Sequence, residues 1–262
     1  MKMSAITIVA ATAVLVLMGS SASAGLIHQW TFDDSANRLA DTGSSPSGLA
    51  IVSGSAGYIY GRDPNPARAM LLFGYSKAAT TVTSFGSSFT METWLYLDAA
   101  GSNGWLRPMN GWTQSPCSLH MGNNMIGTTV GANPSYSATA TAGGAWSAPM
   151  YTWIFIAVVA DAANGVAKTY AKSTNDAALT LVAQGAYNGS STAANAFALG
   201  DSTKYAGSTR FEWVVVHDQV RTVDQIIGDM SGNFVIPEPA TMSLLVLGGL
   251  AGLIRRHRNC GR

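Results

Sequence analysis

Cysteine, glutamate and net charge are scarce in this sequence, and each shortage excludes a class of protein. The 262 residues contain two cysteines, Cys117 and Cys260, which lie on opposite sides of a C-terminal apolar segment. They therefore supply no disulfide framework, and Cys117 is expected to be a small buried apolar residue. Between residues 25 and 236, 10 lysines and arginines stand against 13 aspartates and glutamates, a net charge of −3. Nucleic acid is thus excluded as a partner.

The first 24 residues have the layout of a secretory signal peptide. Lys2 supplies an early positive charge, residues 5–18 are apolar, and residues 22–24 read Ala-Ser-Ala, a small-residue cleavage site. We predict that residues 1–24 are a signal peptide and that the chain is exported. Residues 25–229 are long enough for one large all-β domain.

Apolar residues alternate with period two through the exported part, as expected of β-strands with one buried face. The strand-like runs are 26–32, 49–52, 56–60, 69–73, 79–83, 89–97, 153–160, 166–171, 179–183, 197–199 and 211–216. We predict an all-β fold in which two antiparallel sheets pack as a β-sandwich of the jelly-roll type. Residues 133–151 are rich in small residues and are predicted to form a long loop or an exposed strand pair.

One short helix is predicted near the end of this domain. Thr222 is expected to cap its first turn and Gln225 to complete a capping box, while Asp224 complements the helix N-terminus. Gly228 offers a stop. The helix is expected to close the domain.

Four blocks of the exported part occur in order along the chain. They are GLIHQWTFDDS, MLLFGYSKAATTVTSFGSSFTMETWLYLD, WIFIAVVADAANGVAKTYAKSTND and FALGDSTKYAGSTRFEWVVVHDQVRTVDQI. Together they resemble the LamG-like (concanavalin A-like lectin/glucanase) domains of bacterial surface proteins. The resemblance covers residues 25–229 and implies a LamG-like jelly roll. The chain departs from the family at 209–213, where Thr-Arg-Phe-Glu-Trp replaces Gly-x-Ile-Asp-Glu, and at 171–173, where the family's Asn-Gly is missing.

The C-terminal end places a short apolar segment between two polar motifs. Residues 230–239 form a linker that ends in Pro237, Glu238 and Pro239, and apolar residues 240–254 follow. A helix of 15 residues reaches about 22 Å, less than the roughly 30 Å of a bilayer's hydrocarbon. The basic tail, 255–262, contains the stop residues Arg255, Arg256 and Arg258. These arginines are expected to keep the tail in the cytoplasm.

This arrangement resembles the PEP-CTERM sorting signal. The resemblance implies that an exosortase-type machinery recognises the chain and processes it at or near Pro237-Glu238-Pro239. We therefore predict that the transmembrane helix 240–254 holds the chain only transiently in the inner membrane. The protein then reaches the cell surface or the extracellular space. A permanent single-pass anchor is the alternative.

Catalytic residues are not indicated. A glycoside hydrolase needs two carboxyl groups about 5 to 9 Å apart, whereas Glu92 and Glu212 each stand alone in a strand. Glu92 shares a strand face with Trp94 and Tyr96, which favours a solvated position over a sugar contact. The histidines His28, His120 and His217 match no zinc spacing. We predict a non-catalytic carbohydrate-binding or structural module, with a polysaccharide-acting glycoside hydrolase as the alternative.

Aromatic residues in the Gly, Asn and Ser-rich middle section are the best candidates for recognition. The candidate ligand-binding residues are Trp105, Trp112, Tyr136 and Trp146. In loops, their ring faces could stack on the sugars of an exopolysaccharide or another surface glycan. Of the strand tryptophans, Trp30, Trp153 and Trp213 are expected in the core, whereas Trp94 is expected to follow the face that Glu92 takes.

A calcium ion is the one cofactor that the sequence suggests. Asp33, Asp34 and Asp41 cluster around the first turn, and hard oxygen ligands of this kind hold Ca²⁺. The alternative, which we favour, is that Asp33 and Asp41 bond the turn amides.

Overall fold

β-Strands make up most of the computed structural model, which describes residues 25–34, 36–62, 68–98, 105–109, 115–122, 125–131, 139–141, 149–201 and 208–232. The strands in these ranges are β1 (Leu26–Trp30), β2 (Ala50–Ser53), β3 (Ala56–Tyr60), β4 (Arg68–Leu72), β5 (Lys77–Ala79), β6 (Phe89–Leu97), β7 (Trp105–Met109), β8 (Ser115–Gly122), β9 (Met125–Gly131), β10 (Thr139–Thr141), β11 (Trp153–Asp161), β12 (Val166–Ser173), β13 (Thr180–Ala186), β14 (Ala198–Gly200) and β15 (Thr209–His217). A short helix, α1 (Val223–Asp229), follows the last strand. Leu26–Asn233 form one compact unit.

The strands hydrogen-bond in one path that runs round the core. Its order is β2-β5-β14-β7-β8-β9-β10-β13-β12-β11-β6-β15-β4-β3, with β1 beside β15. The two ends of the path, β2 and β3, are consecutive in the chain. Strands β14 and β7 run parallel, and the other described pairs are antiparallel. The predicted all-β sandwich of two antiparallel sheets is confirmed.

One hydrophobic core fills the space between the two sheets of the sandwich. Phe89, Met91 and Leu95, at alternate positions of β6, are fully buried in it. Burying an apolar side chain of this size contributes roughly 1.5–3 kcal/mol. Cys117 of β8 joins the same core, as predicted, and burial raises the pKa of its thiol. Trp30 also lies in this core.

The outer face of the central strands is buried too, because α1 and the residue after it pack against it. Glu92 and Trp94, which alternate with the core residues of β6, are 0% and 3% exposed. Trp94 Nε1 donates a hydrogen bond to the Met230 carbonyl oxygen at 2.9 Å. The prediction that Glu92 is solvated is therefore wrong. Of the tryptophans expected in the core, Trp213 is buried on this outer face and Trp153 is half-buried.

Helix α1 begins with the predicted capping box. The Gln225 amide N–H donates to the Thr222 hydroxyl at 3.3 Å, and the Thr222 amide N–H donates to the Gln225 side chain at 2.9 Å. Asp224 lies in the first turn, as predicted. The helix continues through Gly228, the predicted stop, and ends at Asp229. It does so because the Met230 N–H still donates to the Ile226 carbonyl and closes one more turn.

Replacing Thr222 with alanine is expected to lower the free energy of unfolding by about 1 kcal/mol, since the cap bond is lost. Urea unfolding measures the change. Thr174→Ala is the matched control, because Thr174 is exposed and caps no helix. Equal stabilities of the two variants would contradict a stabilising cap.

Three strands, β7 to β9, lie between residues 105 and 131, where we predicted none. Trp105 lies in β7 rather than in a loop. Strand β10 lies within 133–151, which we predicted to be a long loop or an exposed strand pair, and it pairs with β9 and β13. Strands β8 to β10 are rich in Gly, Ser and Thr, so their apolar alternation is weak, and backbone pairing with neighbouring strands forms them.

Several sequence predictions fall on residues that the structure does not describe. These are the signal peptide 1–24, the motif Pro237-Glu238-Pro239, the helix 240–254 and the basic tail 255–262. Within the described ranges, no helix has the length and hydropathy needed to cross a membrane.

Candidate functional site

Four ionisable side chains meet between α1 and the outer face of the sheet; we call them the helix-sheet cluster. Glu92 comes from β6, His217 ends β15, Arg221 lies before α1 and Asp229 ends α1. His217 Nε2 lies 3.6 Å from Asp229 Oδ2 and 3.9 Å from Glu92 Oε1. Arg221 Nη2 lies 2.5 Å from Asp229 Oδ2, and its Nε lies 3.8 Å from Glu92 Oε1. The cluster thus joins both elements.

Thr90, one alternate position before Glu92 on β6, fixes the turn that carries Arg221. Its hydroxyl donates to the Gln219 carbonyl oxygen at 2.8 Å and accepts from the Arg221 amide N–H at 2.9 Å. Because both bonds engage backbone groups, the turn is held against β6 at one point. This places the Arg221 guanidinium over Glu92.

Burial decides which members of the cluster carry charge. Both Glu92 carboxyl oxygens lack a hydrogen-bond partner among the described residues. Burial, and then the negative charge of Asp229, raise the pKa of Glu92 well above its ordinary value. Burial and the neighbouring Arg221 charge lower the pKa of His217 to about 3. These shifts favour a protonated Glu92 and a neutral His217. Burial also raises the pKa of Asp229, and the Arg221 guanidinium, which pairs with it, opposes that rise.

Three members of the cluster also have the chemistry of a metal site. The ligand atoms of Glu92, His217 and Asp229 lie within 4.8 Å of one another, and zinc accepts such carboxylates and imidazoles. Arg221 argues against a metal, because its guanidinium already neutralises Asp229 and would lie beside the bound cation. We interpret the cluster as a buried ion network that fastens α1 to the sheet.

Replacing His217 with glutamine is expected to make the stability less dependent on pH between 7 and 4. An unfolded histidine binds a proton below about pH 6.5, whereas folded His217 stays neutral down to about pH 3. Protonation therefore favours the unfolded chain. As the pH is lowered below about 6.5, the free energy of unfolding therefore decreases by up to about 1.4 kcal/mol per pH unit. Urea unfolding at several pH values checks this, and equal slopes in both proteins would show that folded His217 is protonated.

A shallow depression of about 210 Å³ opens on the outer surface beside the cluster; we call it the β12 depression. Its floor is the end of the β11–β12 hairpin, where Lys168 pairs with Val159 and Val166 pairs with Asp161. Residues 220–223, before and at the start of α1, form its wall. Arg221 belongs both to this wall and to the helix-sheet cluster. The structure therefore places a surface recess directly beside the buried network.

The aromatic residues predicted to bind ligand are not among the described residues that line this recess. Trp105 lies in β7, and Trp112, Tyr136 and Trp146 lie outside the described residues. Their role in ligand binding stays a prediction. Sequence reasoning missed Lys168 and Tyr170, which also line the recess. The period-two pattern of β12 places both on one face, and this was the available signal.

The three predicted calcium ligands differ in their bonding. Asp41 accepts hydrogen bonds of 2.7 to 2.9 Å from the side chain of His28 and the backbone amides of Gln29, Gly43 and Ser47. Burial raises the pKa of Asp41, but these bonds outweigh it and hold the pKa below its ordinary value. Asp33 and Asp34 are exposed, and Asp34 accepts a bond from the Ala36 amide at 2.8 Å. The Asp41 bonds match the turn-stabilising alternative, and calcium binding stays a prediction.

Comparison with known proteins identifies one motif in the sequence. Residues 235–259 match the PEP-CTERM protein-sorting motif. This match contains the predicted Pro237-Glu238-Pro239, the apolar segment and the arginines that follow it. Among curated proteins, none matches the sequence.

Solved structures with a similar fold are distant in sequence. The binding domain of botulinum neurotoxin DC in complex with SialylT has 12% identity and a TM-score of 0.58, over 80% of this chain and 52% of that chain. The botulinum neurotoxin serotype C1 binding domain gives the same values. The chain thus spans about half the length of these domains.

A shorter domain is matched over nearly its whole length. Domain 4 of AbnA, a GH43 extracellular arabinanase from Geobacillus stearothermophilus, was solved in complex with arabinotriose. It has 17% identity and a TM-score of 0.55, over 78% of this chain and 97% of that chain. At such identities the likeness shows the fold alone. The chain thus combines a β-sandwich with a C-terminal PEP-CTERM sorting motif.

Proposed function

We propose that this is an exported bacterial surface or extracellular-matrix protein whose β-sandwich is a non-catalytic carbohydrate-binding or structural module. An exosortase-type machinery processes the chain near Pro237-Glu238-Pro239 after transient insertion in the inner membrane. The sandwich then binds an exopolysaccharide or another surface glycan. The observation that carries this proposal is the sorting motif at 235–259.

Similar folds supply the support for glycan binding. The AbnA domain is complexed with arabinotriose and the botulinum domain with SialylT. Both are β-sandwiches that present a ligand surface on a rigid scaffold, and the same scaffold supports many other tasks. Carbohydrate binding by this chain is therefore a proposal that its own surface must support.

The positions of both glutamates in the sandwich favour binding over hydrolysis. Glu92 is fully buried beneath α1, so its carboxyl group cannot reach a glycosidic bond. Glu212 is 5% exposed, and its Oε2 accepts a hydrogen bond from Arg62 Nε at 3.2 Å. A hydrolase needs two carboxyl groups facing the sugar from opposite sides.

Glu92→Gln and Glu212→Gln are expected to leave glycan binding unchanged. A glycan-degrading activity that either substitution abolished would overturn the non-catalytic assignment.

Intact-mass measurement tests the sorting step. Protein recovered from cells that contain an exosortase is expected to lack the arginine tail, and Glu238→Ala is expected to retain it. Arg262→Ala is a suitable control, since it lies outside the matched segment. A wild-type protein that keeps its tail would instead be a permanent membrane anchor.

A glycan array tests the binding step. The processed protein is expected to bind at least one class of surface polysaccharide, with and without added calcium. Binding that needs calcium would assign a role to the aspartates of the first turn. Failure to bind any glycan would leave a purely structural role for the sandwich.

A further inference from the structure

We propose that the β12 depression is a saccharide subsite that takes a single acidic sugar, such as a uronic acid residue within a glycan chain. Lys168 binds the sugar carboxylate and Tyr170 contacts the ring. This inference rests on the proposed glycan-binding function and names the site and the ligand class for it.

Strand geometry brings the polar and aromatic groups to one surface. Lys168 and Tyr170 are two residues apart on β12, so both side chains point to the outer face. Both line the depression and both are half-buried. Gln184, directly opposite Lys168 on β13, is exposed. Cross-strand partners share a face, so an amide extends the polar surface beyond the recess.

The charged side chains of the depression offer a ligand mainly hydrogen-bond donors. Asp161, its acidic residue, is occupied, because its carboxylate accepts bonds from the Asn164 amide at 3.1 Å and from the Asn164 side chain at 2.6 Å. The Lys168 ammonium makes no salt bridge or hydrogen bond with the described residues, although its charge helps to lower the pKa of Asp161. Lys168 therefore has donors free for an anionic acceptor, and a sugar carboxylate supplies one.

Apolar residues complete the recess as a surface for the ring. Val220 and Val223 on its wall are 40% and 39% exposed, and the Tyr170 ring lies on its floor. Aliphatic and aromatic surfaces of this kind pack against the C–H face of a sugar. The volume of about 210 Å³ is below the roughly 300–1,000 Å³ of pockets for drug-sized ligands. It therefore suits one ring of a longer chain that continues over the exposed surface.

Titration calorimetry of the full exported protein tests the proposal, with oligogalacturonate as the acidic probe and galactose oligomers of equal length as the neutral probe. We expect the acidic oligomer to bind more tightly. Lys168→Gln is expected to weaken its binding about tenfold, since a charge-assisted bond is lost. Tyr170→Ala is expected to weaken both probes.

Lys172→Gln is the matched control. Lys172 lies on the same face of β12, but it donates to the Ala177 carbonyl oxygen at 3.2 Å and does not line the depression. Its variant should bind like the wild type. Binding that is unaffected by Lys168→Gln and Tyr170→Ala, or that prefers the neutral oligomer, would overturn this site while leaving the glycan-binding function intact. Absence of binding to every glycan on the array would overturn both.

Discussion

Replacing Arg221 with methionine is expected to lower the free energy of unfolding by about 3–5 kcal/mol. Arg221 is the cation of the helix-sheet cluster, and its Nη2 lies 2.5 Å from Asp229 Oδ2. Removing it leaves a buried carboxylate without a counter-charge, which is the costly way to break a buried ion pair. Methionine keeps much of the apolar stem, so lost packing contributes little. Urea unfolding at pH 7 measures the change.

Two further variants show whether charge is the cause. Lys172→Met removes a lysine that bonds one loop carbonyl at the surface and is expected to cost less than about 0.5 kcal/mol. Adding Asp229→Asn to Arg221→Met should recover part of the loss, because the orphaned carboxylate is removed with its partner. If Arg221→Met is no less stable than Lys172→Met, water solvates Asp229 and the cluster does not fasten the helix.

Strands with strong apolar alternation could be predicted from the sequence, and those without it could not. Residues 56–60 were predicted as a strand and form β3, and 153–160 were predicted and lie within β11. In β8, Ser115–Gly122, the alternation is diluted by Ser and Gly, and its pairing with β9 forms the strand. Such pairing depends on a partner that a local pattern does not show.

Part of the candidate site also could not be predicted from local sequence patterns. The alternation of β6 correctly placed Glu92 and Trp94 on the face opposite the core. Which element covers that face depends on where the chain returns after β15, and α1 lies over it. His217 and Asp229 therefore meet Glu92 although 125 residues separate Glu92 from His217 in the chain. The capping box at Thr222 located the helix, but no sequence signal indicated the sheet face on which it packs.

Replacing Gly200 with alanine is expected to lower the free energy of unfolding by about 3 kcal/mol or more. Gly200 ends β14 with φ +76°, in the left-handed region that side chains other than glycine rarely adopt. A Cβ there would overlap the Ser76 carbonyl oxygen and come within 2.9 Å of Leu72 Cδ1. The first of these atoms belongs to the backbone beside β5, with which β14 pairs. Either the strand pairing or the loop must shift, and urea unfolding measures the cost.

The same substitution at Gly228 is expected to have the opposite sign. Gly228 lies inside α1, and a Cβ there would meet nothing within 4 Å. Alanine favours a helix interior over glycine by roughly 0.8–1 kcal/mol, so Gly228→Ala should stabilise the protein by up to that amount. Both variants add one methyl group, so a difference between them isolates local geometry from the change in composition. If Gly200→Ala were as stable as Gly228→Ala, β14 would not lie as close to Ser76 as the path β5-β14-β7 requires. The pairing of β14 with its neighbours β5 and β7 would then differ from the one described.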